Sequence, residues 1–268
     1  MTLPALRDRV AGRRPEPVRL REGLRDPGSG SRPDAASADL VVSGVRVRYG
    51  EQVALHGVDI EVPSGSCVAV LGANGAGKTS LLGAISGLHR PIEGEIRFGS
   101  VRIDRRPAHR IGGLGICHVP EGRGVFPNLT VAENLRLTLE GNEERVEAAL
   151  ERFPRLRERM RQRAGTMSGG EQQMLAVAPA VVGGYRLLLV DELSLGLAPV
   201  VVDELFAVLA DLRAAGTAMV IVEQFADRAL ELADHAYVLR KGIVAFRGAA
   251  AELRGNPDLL HRMYLGGT

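Results

Sequence analysis

The segment Cys67-Val-Ala-Val-Leu-Gly-Ala-Asn-Gly-Ala-Gly-Lys-Thr-Ser80 decides the fold. Its first part, Cys67–Leu71, is a continuous apolar run, which is typical of a strand buried on both faces of a parallel sheet. Gly72 to Thr79 then matches G-x-x-x-x-G-K-S/T in full, and an apolar helix is predicted to follow over Thr79–Ser86. The glycines let backbone N–H groups turn inward around phosphates, and the helix N-terminus adds partial positive charge. The segment therefore predicts a phosphate-binding loop between a strand and a helix.

The side chains of this loop predict ATP and Mg²⁺ as cofactors. Lys78 is expected to reach the β- and γ-phosphates, and the Thr79 hydroxyl is expected to bind Mg²⁺. Only Lys78 and Lys241 are lysines among the 34 basic residues, which argues against a chance match. The predicted ATP-binding residues of the loop are Gly72, Asn74, Gly75, Ala76, Gly77, Lys78, Thr79 and Ser80.

A second apolar run, Leu187-Leu-Leu-Val-Asp-Glu192, ends in two carboxylates. In proteins with such a phosphate loop, an acid at this strand end holds Mg²⁺, which predicts that role for Asp191. Glu192 can then polarise the attacking water as a general base. More than 100 residues separate Lys78 from Asp191, enough for a subdomain inserted between two strands of the sheet.

Composition excludes several classes of function. The formal net charge of +2 and the 4% of aromatic residues, with no tryptophan, argue against a nucleic-acid partner. No apolar run approaches the ~18–20 residues that span a bilayer, and the first ten residues lack an apolar secretory segment. Two cysteines in apolar runs, Cys67 and Cys117, are predicted to be free thiols in a reducing compartment. We therefore expect a cytoplasmic chain.

Two regions differ in character along the chain. Residues 1–38 hold five prolines and eight arginines without a helical or strand period, and are predicted to be a disordered basic extension. The alternative is a basic arm that touches lipid or a partner. Further strands are predicted at Leu40–Tyr49, Val58–Val62, Gly94–Phe98, Ile116–Val119, Leu187–Asp191, Ala218–Glu223, Tyr237–Leu239 and, at a sheet edge, Ile243–Arg247. Helices are predicted at Thr130–Leu139, within 141–163, at Val200–Ala215, at Ala226–Leu232 and in the C-terminal part.

The segment Met167-Ser-Gly-Gly-Glu-Gln-Gln173 has the pattern of an anion-binding helix N-terminus. Ser168 can cap the helix and Glu171 completes a capping box, while the two glycines allow close backbone approach. Alone, the pattern is also compatible with a plain helix cap. It resembles the signature usually written L-S-G-G-Q in ATPases of ABC transporters. Together with the phosphate loop and the acidic strand end, it identifies the chain as resembling that family from Asp39 to about Leu265.

The resemblance implies an α/β fold of the P-loop NTPase type in residues 39–268. It would have a mostly parallel central sheet, an antiparallel β subdomain and an inserted helical signature subdomain at about 122–183. Two ATPase subunits would sandwich ATP, with Ser168, Gly169, Gly170 and Glu171 acting on the opposite subunit's nucleotide. Tyr49 lies where an aromatic ring stacks on adenine. Glu121 lies at the usual Mg²⁺-sensing glutamine, and Gln224 at the usual histidine that contacts the γ-phosphate.

The resemblance also implies partners. They are a second, identical or related, ABC ATPase subunit, transmembrane permease subunits whose coupling helices dock near Glu121, and indirectly a solute-binding protein. The chain would then lie peripherally on the inner face of the cell membrane. The branch resembled is that of branched-chain amino-acid importers, and urea, amides and other amino acids remain alternatives. The residues of that resemblance are Val119–Arg123, Val125–Pro127, Ser194–Pro199, Val222–Gln224 and Tyr264–Gly267.

Three positions depart from the family pattern. Pro179 replaces a usual arginine, and a proline inside a helix predicts a kink or an end near Ala178. Leu193 replaces the usual proline after the acidic pair, so we expect a looser loop around Glu192. Gly124 replaces a common arginine. Nucleotide binding is expected to persist and hydrolysis to be slow, and a degenerate, regulatory ATP-binding cassette is the alternative. An ATPase that acts on ribosomes or DNA is disfavoured, because the chain has one cassette and almost no net charge.

Overall fold

The computed structural model describes residues 40–122, 124–223, 226–256, 258–260 and 262. The predicted extension of residues 1–38 lies outside this described part. The strands in chain order are β1 Leu40–Tyr49, β2 Gln52–Val62, β3 Cys67–Leu71, β4 Glu93–Phe98, β5 Val101–Arg102, β6 Ile116–Val119, β7 Leu187–Asp191, β8 Ala218–Glu223, β9 His235–Arg240 and β10 Ile243–Ala249. The helices are α1 Lys78–Ser86, α2 Ala108–Gly112, α3 Val131–Thr138, α4 Glu143–Arg152, α5 Pro154–Glu158, α6 Gly169–Val182, α7 Pro199–Ala214, α8 Ala226–Leu232 and α9 Ala250–Arg254.

A six-stranded sheet in the order β10-β9-β3-β8-β7-β6 forms the centre of the fold. Its strands are parallel except for β10, which pairs with β9 in antiparallel fashion at the edge. Every residue of β3 is buried, because its two faces contribute to two different cores. Cys67, Ala69 and Leu71 face one core, and Val68 and Val70 face the other. This double burial explains the unbroken apolar run and confirms the predicted parallel sheet.

An antiparallel sheet in the order β2-β1-β4-β5 covers one face of the central sheet. Leu40, Val42, Ile60 and Ile96 share a buried cluster with Val68 of β3 and with the apolar side of α1. Apolar and exposed residues alternate along β1 and β2, as expected for a sheet with one solvated face. The predicted fold class, an α/β fold with an added antiparallel sheet, is confirmed.

The chain between β6 and β7 forms helices α3 to α6. Two of these helices begin with the capping boxes that the sequence predicts, Thr130 with Glu133 at α3 and Ser168 with Glu171 at α6. In each box the hydroxyl oxygen of the first residue accepts a hydrogen bond from the backbone N–H of the glutamate. The glutamate carboxylate in turn accepts one from the backbone N–H of the first residue. Phe153 lies between α4 and α5 and is fully buried among these helices. No helix in the part of the chain described here is long and apolar enough to cross a bilayer.

Helix α6 continues through Pro179 to Val182, so of the predicted kink or end near Ala178, the end is wrong. Val177, Ala178 and Ala180 are buried in the main core on both sides of the proline. Because most helical stability in a protein comes from the packing of its buried face, this burial outweighs the ~3 kcal/mol that an interior proline costs.

Candidate functional site

The loop between β3 and α1 is held in a shape that only glycine permits at its ends. Gly77 precedes α1 with φ 107°, and a Cβ there would lie 2.7 Å from Leu55 and 2.9 Å from the carbonyl oxygen of Ala54. A Cβ at Gly72 would collide with the carbonyl oxygen of Leu239. Neighbouring backbone thus surrounds the loop closely, and any side chain at these two glycines would force the loop to move.

Lys78, the first residue of α1, is folded back over the loop and is only 4% exposed. Its Nζ donates hydrogen bonds to the carbonyl oxygens of Gly72 at 2.9 Å and Ala73 at 3.3 Å. The same Nζ lies 3.2 Å from Oε1 of Glu192, whose side chain is almost as deeply buried. The cation predicted to bind phosphate is therefore ion-paired with the carboxylate predicted to activate water.

Glu192 follows β7 in the left-handed region, with φ 46°, and its backbone N–H donates to the carbonyl oxygen of Val222 at 2.9 Å. A non-glycine residue in this region stores strain, which is common at functional sites. The contact to Val222 of β8 keeps Glu192 at the end of the central sheet, beside the phosphate loop.

Asp191, the last residue of β7, is 1% exposed, and neither carboxylate oxygen has a hydrogen-bond partner of normal geometry among the described residues. Burial raises the pKa of Asp191 to about 6; the Thr79 hydroxyl lowers it, and the charges of Glu192 and Glu121 raise it further. A buried, unsatisfied carboxylate beside a hydroxyl provides the hard oxygen ligands that Mg²⁺ prefers. The residues present therefore fit a divalent cation.

A cleft of about 570 Å³ opens over the phosphate loop. It brings together the end of β1, the start of β2, the loop itself, the segment after β7 and the turn between β9 and β10. The predicted site residues that line it are Tyr49, Asn74, Gly75, Gly77, Lys78, Thr79, Ser80, Glu121 and Glu192. Asp191 lines an adjoining cavity of about 370 Å³ that shares Thr79 and Glu121 with the cleft.

Tyr49 presents an aromatic ring at the cleft with 42% of its surface exposed. Its hydroxyl donates to Oγ of Ser80 at 3.4 Å, and its ring meets His89 edge-on with 5.0 Å between centroids. Such a ring is available for stacking against a flat ligand in the cleft.

The signature residues lie at the start of α6 and are not among the residues that line the cleft. Oε2 of Glu171 accepts hydrogen bonds from the N–H and the hydroxyl of Ser168, both at 2.9 Å. Arg159 adds an ion pair at 3.2 Å, and the backbone hydrogen bond from Ser168 is the main cause that lowers the pKa of Glu171. Gly170 fits against Val201, where a Cβ would lie 2.9 Å from a methyl carbon.

The loop that follows Glu192 is anchored in spite of its missing proline. Leu193 is 1% exposed and belongs to the main core. The N–H and the hydroxyl of Ser194 donate to the buried carboxylate of Glu223 at 3.1 and 2.6 Å. These contacts hold the loop that was expected to loosen, and slow hydrolysis remains a prediction.

Gln224, predicted to contact the γ-phosphate, lies outside the described residues. Lys241 lines the cleft but was not predicted as a site residue. Its only signal in the sequence was that the chain contains so few lysines, because the approach of the β9–β10 turn to the phosphate loop is a tertiary contact.

Comparison with known proteins agrees with this geometry. Residues 55–194 match the family model described as ABC transporter. The chain is 44% identical over 228 residues to the high-affinity branched-chain amino acid transport ATP-binding protein BraG of Pseudomonas aeruginosa, covering 83% of this chain and 97% of that protein. It is 41% identical to the probable branched-chain amino acid transport ATP-binding protein LivF of Archaeoglobus fulgidus, covering 76% and 89%.

Solved structures of ABC transporter cassettes have a fold similar to that of this chain. A nucleotide-free ATP-binding cassette from an ABC transporter superposes with a TM-score of 0.73 at 25% identity, covering 85% of this chain and 99% of that one. An ATP-binding subunit of an ABC transporter superposes with a TM-score of 0.73 at 26% identity, covering 85% and 98%.

Proposed function

The chain belongs to the ABC transporter family and is one of its ATP-hydrolysing cassettes, and from this premise we propose that it drives the import of branched-chain or closely related amino acids. The substrate class is supported by the printed names of the two relatives above, each more than 40% identical to this chain. The cassette itself would not contact the amino acid, because recognition belongs to the binding protein and the permease.

One observation carries the catalytic part of the proposal, the 3.2 Å ion pair between Lys78 and Glu192 inside the cleft. A nucleotide whose terminal phosphate reached Lys78 would bring its attacking water close to the Glu192 carboxylate. Glu192 would accept the proton of that water, and Lys78 would neutralise the charge that develops on the phosphate. ATP must first replace Glu192 as the partner of Lys78, so binding of the nucleotide would itself free the base.

Thr79, Asp191 and Glu121 would hold Mg²⁺, which when bound neutralises charge on the phosphate oxygens. The unsatisfied Asp191 carboxylate supports this assignment most directly. Tyr49 would stack against adenine, and Gln224 would contact the terminal phosphate.

We further propose that Ser168 to Glu171 bind the nucleotide of an opposite cassette. The capping box fixes the start of α6, and these residues are not among those that line the cleft of their own chain, which supports action in trans. The closed dimer would move permease subunits through the surface near Glu121, and a solute-binding protein would deliver the amino acid. ATP can drive this closure only if it contacts the closed dimer better than the open one.

The decisive experiment compares ATP binding and hydrolysis by the wild-type chain and by Glu192→Gln. We expect the variant to bind ATP and to hydrolyse it about 10²- to 10⁴-fold more slowly, the usual contribution of a general base. If both proteins bind ATP and neither hydrolyses it, even with permease and partner cassette added, the chain is a regulatory cassette and the proposal fails.

The substrate class requires a separate test. In proteoliposomes that contain the permease, the cassettes and the binding protein, leucine or valine should stimulate ATP hydrolysis and urea should not. Stimulation by urea alone would assign the chain to the alternative importer class.

A further inference from the structure

Lys241 lies in the turn between β9 and β10, and its backbone is in an unfavourable conformation. The turn contains only Lys241 and Gly242, with φ of 48° and 75°, and Arg240 pairs with Ile243 across it. Positive φ at both positions defines a type I′ turn, which strongly prefers asparagine, aspartate or glycine at the first of them. Lysine at that position gains nothing from the turn. A local conflict of this kind points to a functional reason for the residue.

The turn is fixed against the phosphate loop. The N–H of Gly242 donates to the carbonyl oxygen of Ala76 at 2.9 Å, and the carbonyl oxygen of Gly242 accepts from the N–H of His56 at 2.8 Å. A Cβ at Gly242 would collide with the carbonyl oxygen of Ala54, so the turn fits tightly between β2 and the loop. The Cα of Lys241 is consequently held at the edge of the cleft, and only its side chain is free to adjust.

The ammonium group of Lys241 has no acidic partner among the ion pairs that the described residues form. The side chain is exposed and lines the same cleft as Lys78, Asn74 and Gly75. Both lysines of a chain that otherwise uses arginine therefore lie in one cleft. Three carboxylates, Glu121, Asp191 and Glu192, lie close together beside the phosphate loop and would repel a polyphosphate.

We propose that Lys241 is a second phosphate-binding lysine, which contacts the nucleotide from the β9–β10 turn. Lysine suits this role because its compact ammonium on a flexible stem acts as a point charge toward phosphate oxygens. It would offset part of the negative charge of the three carboxylates. The inference rests on the proposed function, since it assumes that the cleft binds a nucleotide.

The test measures binding of ATP, ADP and adenosine to the purified full chain by calorimetry, for the wild type and for Lys241→Asn. Asparagine removes the charge but tolerates left-handed backbone, so the turn should be kept or stabilised. We expect Lys241→Asn to weaken ATP binding about 3- to 10-fold, as for a partly exposed charge-assisted contact, and to leave adenosine binding unchanged. The difference between the two proteins should shrink at high salt.

Two matched variants sharpen the comparison. Lys241→Arg keeps the charge and should retain more ATP affinity than Lys241→Asn. Arg240→Gln makes the same change of net charge one residue away, off the cleft, and should bind like the wild type. Equal ATP affinity of Lys241→Asn and the wild type, or an equal loss with Arg240→Gln, would overturn the inference. A wild-type chain that binds no ATP would instead overturn the proposed function on which the inference rests.

Discussion

At the scale of single residues, the buried carboxylate of Asp191 opposes folding in the nucleotide-free protein. Its pKa of about 6 is above the ordinary value of 3.8, so the folded state disfavours the charged form. The favourable contribution of the protonated group is complete below the unfolded-state pKa and is lost as pH rises through 6. At pH 7.5 this raised pKa therefore corresponds to a destabilisation of the fold by ~2–3 kcal/mol.

We predict that Asp191→Asn raises the free energy of unfolding of the nucleotide-free chain at pH 7.5 by ~1–3 kcal/mol. The same change should abolish Mg²⁺-dependent hydrolysis, so stability rises as activity falls. Urea unfolding at pH 7.5 and at pH 5 measures the first effect, which should be smaller at the lower pH. The exposed Glu51 offers a control, because Glu51→Gln should alter stability little at either pH. A variant less stable than the wild type would contradict the reading of Asp191 as an unsatisfied charge.

His118 provides a pH effect of the opposite sign. Burial lowers the pKa of His118 from 6.5 to about 4, while its Nδ1 lies 3.1 Å from Oγ of Ser86. The unfolded chain therefore protonates His118 first as pH falls, and the contribution of this group to stability is lost between about pH 6.5 and 4. We predict that His118→Asn flattens this part of the pH profile of the free energy of unfolding, measured with urea, by ~2–3 kcal/mol. An unchanged slope between pH 6.5 and 4.5 would show that other groups cause the loss.

At the scale of elements, the loop after β7 depends on β8 for its position. The Ser194 hydroxyl donates at 2.6 Å to the buried carboxylate of Glu223. We predict that Ser194→Ala destabilises the fold by ~1–3 kcal/mol, because a buried carboxylate loses a donor. Since Ser194 and Glu192 share this loop, hydrolysis should fall more than ATP binding. Ser194→Thr keeps the hydroxyl and serves as the control. Loss of stability with unchanged kcat would mean that the contact supports the fold alone.

Two prolines occupy opposite kinds of position in neighbouring helices. Pro179 is inside α6, where it lacks a donor for the helix, and Pro199 is the first residue of α7, where that donor is not needed. We predict that Pro179→Ala raises the free energy of unfolding by ~1–3 kcal/mol and that Pro199→Ala leaves it equal or lower. Thermal and urea unfolding of both variants test this contrast. Equal effects of the two substitutions would contradict the expected cost of a proline inside a helix.

At the scale of the whole molecule, nucleotide binding should be coupled to association. We predict that Glu192→Gln, incubated with ATP and Mg²⁺, elutes as a dimer in size-exclusion chromatography, alone or mixed with a related cassette. The slow variant keeps ATP in place long enough for the opposite signature segment to engage. Lys78→Ala should remain monomeric under the same conditions because it loses the phosphate contact. Persistent monomer for Glu192→Gln, even beside a partner cassette, would contradict the sandwich arrangement.

The strands that the sequence predicts best are those with an unbroken apolar run or a clear alternation of apolar and polar residues, as in β1 Leu40–Tyr49. Strands β3, β7 and β8 have the predicted bounds because each is a continuous apolar run that ends at a glycine or at an acid. Strand β2 begins six residues before its prediction, since Gln52 to Gly57 mix polar, apolar and glycine residues and show no clear period. The two-residue β5 and the five-residue α2 are too short to have a detectable period.

The candidate site was predictable wherever its residues are neighbours in sequence. The phosphate loop and the Asp191–Glu192 pair are local motifs with a known chemical meaning, and the structure brings them together. The ion pair of Lys78 with Glu192 and the approach of Lys241 are contacts between segments far apart in the chain. Their existence depends on the order of strands in the central sheet, which local spacing does not encode.

The packing of the β9–β10 turn against the phosphate loop also affects when the nucleotide cleft can form during synthesis of the chain. Gly242 bonds to Ala76 and His56 across a sequence separation of more than 160 residues. A ribosome therefore releases the phosphate loop long before it releases the turn that completes its surroundings. During translation the nascent chain carries an unfinished nucleotide cleft until β10 has emerged, so ATP can stabilise the cassette only after that point.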